Sequence, residues 1–191
     1  MLGKQFNEET AVQECQNGNL SAFGDLYDAY IRKIYAFVYY RTHHKQTAED
    51  LTSRVFIKAL ENISSYSSAK GTFSTWLYRI ARNQVIDHYR TVRTSADIAD
   101  AFDLAGKDNV ERDLDVKIEL EKVSRLLSEL TPEQRDLVIM RVWDGLSYRE
   151  ISHVLGKSED ALKMSFSRVI GKLRSPASLV LSFLPFLSDK I

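Results

Sequence analysis

Residues 130–174, LTPEQRDLVIMRVWDGLSYREISHVLGKSEDALKMSFSRVIGKLR, decide the fold, because the signals that begin and end helices are explicit there. Thr131 can cap a helix, with Pro132 at its first position and Gln134 at its third. Gly145 is expected to end this helix. Each cap contributes on the order of 1 kcal/mol, so the helix boundaries are strongly specified.

Two more helices follow in the same stretch, and together they predict a helix–turn–helix. Ser147 and Glu150 form a capping box at the start of a short helix, which Gly156 ends. Ser158 then caps a longer helix, which we expect to run to Arg174. A short helix, a turn through glycine and a longer second helix is the order of a helix–turn–helix DNA-binding unit.

The second helix of this unit has an apolar face opposite a face of long cations and small polar side chains. Leu162, Phe166 and Val169 recur at helical spacing and predict the buried side. The opposite face fits the major groove of DNA, where Arg168 can bind a guanine edge for roughly 1–3 kcal/mol of discrimination. A solvated face of a three-helix bundle is the alternative. The candidate DNA-binding residues are Ser158, Lys163, Met164, Ser167, Arg168 and Lys172.

The first half of the chain predicts a second bundle of helices. From Ser21, apolar residues three and four positions apart predict one helix, and Thr47 with Asp50 resembles a capping box that starts another. A serine-rich loop, 64–71, interrupts the pattern, and a third helix is expected over about 74–90. The fold class is therefore all-α.

The third of these helices, with the loop before it, carries aromatic, cationic and amide side chains away from the apolar face. Such side chains suit single-stranded nucleic acid, because rings stack on bases for about 1–3 kcal/mol each and guanidinium groups bind phosphates. For Trp76, packing in the core is the alternative interpretation. The candidate residues of this surface are Tyr66, Lys70, Phe73, Trp76, Arg79, Asn83 and Arg90.

The charge distribution divides the chain into mildly basic blocks and an acidic connector. Residues 1–93 carry 12 Lys and Arg against nine Asp and Glu, whereas residues 94–128 carry five against nine. The connector is also only weakly periodic, which predicts a flexible linker between two helical domains. The expected order is a first domain over 1–93, a linker over 94–124, a helix–turn–helix domain over 125–175 and an apolar tail of unassigned role over 176–191.

Composition excludes several classes of protein. The 191 residues include one cysteine, Cys15, which rules out a disulfide framework and suits a reducing cytosol. The N-terminus lacks the pattern of a signal peptide and no apolar stretch is long enough to span a bilayer, so a cytoplasmic protein without membrane insertion is expected. The four histidines share no metal-ligand spacing, and no nucleotide-binding or nucleophile motif occurs. We therefore expect no enzyme activity, no cofactor and no metal.

Two sets of motifs resemble region 2 and region 4 of the extracytoplasmic-function (ECF) sigma factors, the small two-domain members of the sigma-70 class. The region 2 motifs are Thr47–Phe56 (TAEDLTSRVF), Phe73–Asn83 (FSTWLYRIARN) and Asp87–Arg90 (DHYR). The region 4 motifs are Leu130–Arg135 (LTPEQR) and Leu146–Ser152 (LSYREIS). Because both sets occur in the family's order and spacing, the resemblance is more specific than a lone helix–turn–helix.

The resemblance implies a factor that brings core RNA polymerase to promoter DNA. The loop 66–73 and the helix after it would capture flipped bases of the −10 element and help to melt it. The helix–turn–helix would read the −35 element, region 4 would also contact the polymerase β flap, and the linker would run toward the RNA exit channel. An anti-sigma factor is a further implied partner. The residues that would bind the clamp coiled coil of the polymerase β′ subunit are Asp50, Leu51, Arg54 and Phe56.

Two departures from the family pattern and two alternative functions stay open. The family usually has an acid at the position of Thr47 and Gln-Glu where this chain has Ser53 and Arg54, so Arg54 reverses a charge on the presumed polymerase-facing helix. One alternative function is a helix–turn–helix transcriptional regulator that binds DNA without engaging polymerase. The other is a protein-interaction module in which the aromatic surface is buried.

Overall fold

The structure is a computed structural model that describes residues 6–95, 127 and 129–173. All regular secondary structure within these residues is helical, which confirms the all-α prediction. The linker from residue 96 onward, Arg174 and the tail 176–191 lie outside the described residues. The α-helices of the described ranges are α1 (Glu8–Gln16), α2 (Phe23–Thr42), α3 (Lys45–Asn62), α4 (Phe73–Ser95), α5 (Pro132–Val138), α6 (Tyr148–Leu155) and α7 (Glu159–Leu173).

The first block, α1–α4, is built around the apolar stripe predicted on α2. Leu26, Ile34, Phe37 and Val38 are fully buried, and each contributes about 1.5–3 kcal/mol through the apolar surface removed from water. Tyr27, on the edge of the same stripe, is 41% exposed. The serine-rich loop forms two short 3-10 turns, Ile63–Ser65 and Ser68–Lys70, before α4 begins.

Two features of the first block differ from the prediction. Helix α1 was not predicted, because its nine residues bury only three side chains and leave a weak periodic signal. The predicted cap of α3 at Thr47 is wrong, since α3 begins at Lys45 with His44 as its N-cap. The Nδ1 atom of His44 accepts a hydrogen bond from the Thr47 backbone N–H at 3.2 Å. An imidazole nitrogen thus takes the place of the usual hydroxyl or carboxylate.

In the second block, α5–α7, the predicted caps are confirmed. The Thr131 hydroxyl accepts a hydrogen bond from the Gln134 backbone N–H at 3.3 Å, and the corresponding distance from Glu150 to Ser147 is 3.2 Å. Gly156 adopts the left-handed conformation, with φ of 67°, that glycine tolerates at the end of a helix. A π-helical segment, Ile139–Trp143, follows α5 and was not predicted.

The two blocks pack against each other, a contact that the sequence does not reveal. The rings of Tyr40 and Trp143 lie 5.2 Å apart between centroids. The Arg41 guanidinium donates a hydrogen bond to the backbone carbonyl of Pro132 at 3.0 Å. These contacts place α2 beside the start of α5. None of the helices in the described ranges is both long and apolar enough to cross a membrane.

Candidate nucleic-acid interface

Helix α7 presents the cationic face that the sequence predicts. Leu162 and Val169 are buried against α5 and α6, with exposed fractions of 2% and 0%. Ser158 caps the helix by accepting a hydrogen bond from the Ala161 backbone N–H at 3.3 Å. The predicted contact residues are all exposed, with Met164 at 57%: Ser158, Lys163, Met164, Ser167, Arg168 and Lys172.

The cations of this face differ in whether they form an ion pair within the protein. Lys163 pairs with Asp160 one turn earlier, with 3.2 Å between Nζ and the carboxylate oxygen. Arg168, one turn further along, has no ion-pair partner among the described residues. An exposed guanidinium without an internal acid keeps its donors for an external acceptor such as a base edge or a phosphate.

Helix α6 fixes the position of α7. Ile151, Val154 and Leu155 form its buried face, and the ring of Tyr148 meets the ring of Phe166 edge-on at 6.1 Å. The guanidinium of Arg141 lies over the Tyr148 ring, 4.9 Å from its centroid. The helix–turn–helix is therefore held by aromatic and cation–π contacts in addition to its apolar core.

The aromatic residues at the start of α4 form a cluster in which burial decreases from Phe73 to Tyr66 and Trp76. Phe73 is 1% exposed, and its ring contacts that of Tyr30 at 5.6 Å. Tyr66 and Trp76 are half-buried and lie 5.6 Å apart between ring centroids. Phe73 therefore supports the cluster from below and offers no face to a base, whereas Tyr66 and Trp76 each keep exposed surface.

Exposed cations and an amide continue this surface along α4 and its preceding loop. Lys70, Arg79, Asn83 and Arg90 are all exposed. Arg90 also lies 4.0 Å from the carboxylate of Asp87 on the same helix. The predicted combination of partly exposed rings and exposed cations on one side of α4 is therefore present, without Phe73.

The loop that precedes α4 is held by specific hydrogen bonds. The Tyr66 hydroxyl donates to the Gly71 carbonyl at 3.1 Å, and Gly71 has a φ of 137° that disfavours any residue with a Cβ atom. The side-chain amide of Gln16 donates to the carbonyls of Ile63 at 3.0 Å and Tyr66 at 2.9 Å. Sequence reasoning missed Gln16, because nothing in a short polar helix indicates which distant loop it contacts.

The polymerase-facing residues implied for α3 divide between surface and core. Asp50 and Arg54 are exposed, but Leu51 and Phe56 are only 3% and 4% exposed. The Phe56 ring packs edge-on against Tyr27 at 4.8 Å. We therefore no longer assign Leu51 and Phe56 to a binding surface, because their side chains are committed to the core.

An isoleucine on α3 supplies the exposed apolar side chain that Leu51 and Phe56 do not. Ile57 is 57% exposed and follows Asp50 and Arg54 at the seventh and third position, so the three share one helix face. Ile57 was missed because the apolar stripe of α3 does not include it. Its position outside that stripe is the signal that marks it as a surface residue.

A cluster of buried charges joins the two blocks behind these surfaces. Asp136, which is 2% exposed, lies 3.1 Å from Arg41 and 3.4 Å from Arg82. Burial raises the pKa of Asp136 to about 6, and both guanidinium groups oppose that rise. Burial also lowers the pKa of His43 to about 4, assisted by Arg135 and Arg41 nearby. Arg82 is thus a structural residue and is separate from the exposed cations of α4.

Fold and site together define a two-domain helix–turn–helix protein with two exposed surfaces suited to DNA. Models of known families agree: Sigma-70 region 2 matches residues 26–94, and Sigma-70, region 4 matches residues 120–173.

Similar proteins extend this match over most of the chain. ECF RNA polymerase sigma factor BldN of Streptomyces coelicolor is 37% identical over 85% of this chain, which spans 62% of the length of BldN. RNA polymerase sigma factor YlaC of Bacillus subtilis is 31% identical over 75% of this chain and 85% of its own. ECF RNA polymerase sigma factor SigM of Bacillus subtilis is 30% identical over 79% of this chain and 92% of its own. The chain belongs to the ECF sigma factors of the sigma-70 class.

Solved structures share the fold at lower sequence identity. CnrH, in complex with the cytosolic domain of CnrY, has a TM-score of 0.66 at 21% identity and covers 94% of this chain and 97% of CnrH. The sigma factor RpoE from Bartonella quintana, in complex with the anti-sigma factor NepR, has the same TM-score and identity. The match covers 80% of this chain and 94% of RpoE. At this identity the likeness concerns the fold alone.

Proposed function

We propose that this sigma factor directs promoter-specific transcription initiation through two surfaces, α7 for the −35 element and the start of α4 with its loop for the −10 element. The observation that carries the proposal is the exposed face of α7, where a capped helix in a helix–turn–helix presents Arg168 with no acid partner among the residues that the structure describes. The proposed domains are 1–93 for region 2, 94–124 for the linker and 125–175 for region 4.

For the −35 element, α7 enters the major groove of duplex DNA. Arg168 binds a base edge, and Lys163 and Lys172, at the two edges of the exposed face, contribute phosphate contacts. Met164 adds an exposed apolar contact that suits a thymine methyl group.

For the −10 element, the exposed parts of Tyr66 and Trp76 stack on unpaired bases. Arg79 and Asn83, one and two turns along α4 from Trp76, hold the backbone of the same strand. Unstacking costs a few kcal/mol per base, and stacking on these two rings at about 1–3 kcal/mol each offsets it. Phe73 supports both rings from the core.

Core polymerase is proposed to bind α3 through Asp50, Arg54 and Ile57, on the clamp coiled coil of its β′ subunit, while region 4 contacts the β flap. The charge of Arg54 then pairs with an acid on the partner surface. Because RpoE from Bartonella quintana is described in complex with an anti-sigma factor, we extend a partner of that class to this chain. The protein is proposed to act in the cytoplasm as a binding protein, with no catalytic activity or cofactor of its own.

Run-off transcription with core polymerase, with and without this chain, tests the proposal on the DNA upstream of its own gene. A transcript that requires the chain is the expected result. Sequence-specific DNA binding with no effect on polymerase would instead support the helix–turn–helix regulator.

Two substitutions divide the roles of the two surfaces. Arg168→Ala is expected to weaken binding to −35 duplex about 10-fold on the preferred sequence and less on altered sequences. Lys157→Ala, which removes an exposed cation paired with Glu133 outside the α7 face, is the control. Trp76→Ala is expected to abolish promoter opening while Trp76→Phe retains most of it; opening that persists in Trp76→Ala would refute the stacking role.

A further inference from the structure

Helix α1 lies outside the residues that match the region 2 model, 26–94, yet it contacts the loop of the proposed −10 site. The Nε2 atom of Gln16 donates one hydrogen bond to the Ile63 carbonyl and another to the Tyr66 carbonyl, at 3.0 and 2.9 Å. These bonds join residues 47 and 50 positions apart in the chain. One amide group therefore fixes the backbone on both sides of the turn that leads to Tyr66.

The helix that carries Gln16 is itself anchored at both ends. Val12 and Cys15 are buried in the first block, with exposed fractions of 4% and 3%. At the N-terminal end, the Glu8 carboxylate accepts a hydrogen bond from the Tyr30 hydroxyl, and the Tyr30 ring contacts that of Phe73. Because Phe73 supports the −10 cluster, α1 is connected to that cluster from two sides.

An open cleft of about 450 Å³ separates α1 from this loop. Glu9, Gln13 and Gln16 line it from the helix, and Tyr66, Ser68 and Thr72 line it from the loop. Among the described residues, the lining offers carboxylate and amide oxygens and no lysine or arginine side chain. Such a cleft repels a phosphate but accepts the edge of a nucleobase, whose amino groups donate hydrogen bonds to acids and amides.

We propose that α1 forms the second wall of the −10 base-binding cleft and that Gln16 is the positioning residue that holds the Tyr66 loop ready for an unstacked base. Gln16 acts through the backbone of the loop, by its hydrogen bonds to the Ile63 and Tyr66 carbonyls. The proposal rests on the proposed −10 role of Tyr66 and Trp76. It adds that promoter opening depends on a helix outside the matched region 2 residues.

The test uses holoenzyme that contains Gln16→Met or Gln16→Glu. Methionine keeps the length of the side chain without its donors, and glutamate directs a carboxylate at two carbonyl oxygens. Thr10→Met is the matched control, because Thr10 is exposed on the same helix and is not among the described residues that line the cleft. Opening is followed by the fluorescence of 2-aminopurine in the −10 element, on duplex promoter and on promoter already unpaired there by mismatches.

On duplex promoter, loss of two hydrogen bonds is expected to slow opening about 10-fold in Gln16→Met and more in Gln16→Glu, whereas Thr10→Met should stay within about twofold of the parent. On the mismatched promoter, the rate of the fluorescence change in both Gln16 variants should be within about threefold of the parent rate, because the bases no longer have to be captured from a duplex. This recovery distinguishes a positioning role from damage to the fold, because a damaged fold would slow the reaction on both promoters.

Two results would overturn the proposal: opening at the parental rate in both Gln16 variants, or equal slowing on duplex and mismatched promoter. Failure of the proposed function looks different, since the parent protein itself would then give no opening with core polymerase.

Discussion

The ion pair between Arg41 and Asp136 gives the sharpest test of how the two domains are joined. Asp136→Leu removes a carboxylate that is 2% exposed and leaves the Arg41 guanidinium, 6% exposed, without its charge partner. Removing one partner of a buried pair costs about 3–5 kcal/mol, because the remaining charge stays desolvated. Arg82 contributes less to this penalty, since it is 26% exposed and can turn toward water.

The reverse change is expected to be milder. In Arg41→Met, Asp136 keeps Arg82 at 3.4 Å, and its raised pKa of about 6 lets it take up a proton at modest cost. We expect a loss of about 1–3 kcal/mol. In the double variant, two apolar side chains of similar volume replace the pair. Its loss of unfolding free energy should therefore be well below the sum of the losses in the two single variants.

Urea denaturation of the full chain, followed by circular dichroism, measures the four free energies of unfolding in this cycle. We expect a coupling energy of about 2 kcal/mol between positions 41 and 136. Arg79→Met, which removes an exposed cation from the same helix as Arg82, is the control and should change stability by less than about 0.5 kcal/mol. Additive losses in the cycle would refute the domain contact, because charges on separated domains do not interact.

Three further outcomes follow from the structure. Ser147→Ala should lower the free energy of unfolding by about 1 kcal/mol by removing the cap of α6, measured by urea denaturation, and an unchanged midpoint would contradict the capping role. Burial raises the pKa of Asp144 to about 7, so its neutral form stabilises the fold below the unfolded pKa and this contribution is lost as pH rises toward 7. Asp144→Asn should therefore gain stability relative to the parent between pH 5 and about pH 8 by roughly 1–3 kcal/mol, and a pH-independent difference would refute the assignment. Ile57→Ser should weaken binding of core polymerase about fivefold with stability unchanged, and Lys58→Ala, at the next exposed position, serves as its control.

The starts of α5, α6 and α7 could be predicted from the sequence to the residue, because capping chemistry is local. Thr131, Ser147 and Ser158 bond to backbone groups three positions away, and Gly156 takes a conformation that few other residues accept. The exposed face of α7 was equally predictable, since an amphipathic helix assigns each position to one side. No knowledge of the rest of the chain is needed for either step.

Features that depend on distant parts of the chain could not be predicted. Asp136 sits on the buried side of α5, where its sequence neighbours give no reason for a charge, and only Arg41 and Arg82 from the other block explain it. The resemblance also assigned Phe56 to a binding surface without regard to burial. Phe56, Ala59 and Ile63 lie three and four positions apart in the sequence, so local periodicity is the better guide to the burial of Phe56.

Stability and recognition use different charges in this protein, and their separation follows from burial. The pair of Arg41 with Asp136 is hidden between the blocks, where a guanidinium cannot reach DNA. Arg168 lies on α7, whose packing contacts are with α5 and α6 of its own domain. Because the cap at Ser158 and the apolar face around Leu162 are internal to that domain, the side of α7 proposed to face DNA should keep its shape whether or not the two domains stay together. The contact between the domains can therefore set their relative position without altering the shape of either proposed DNA-binding surface.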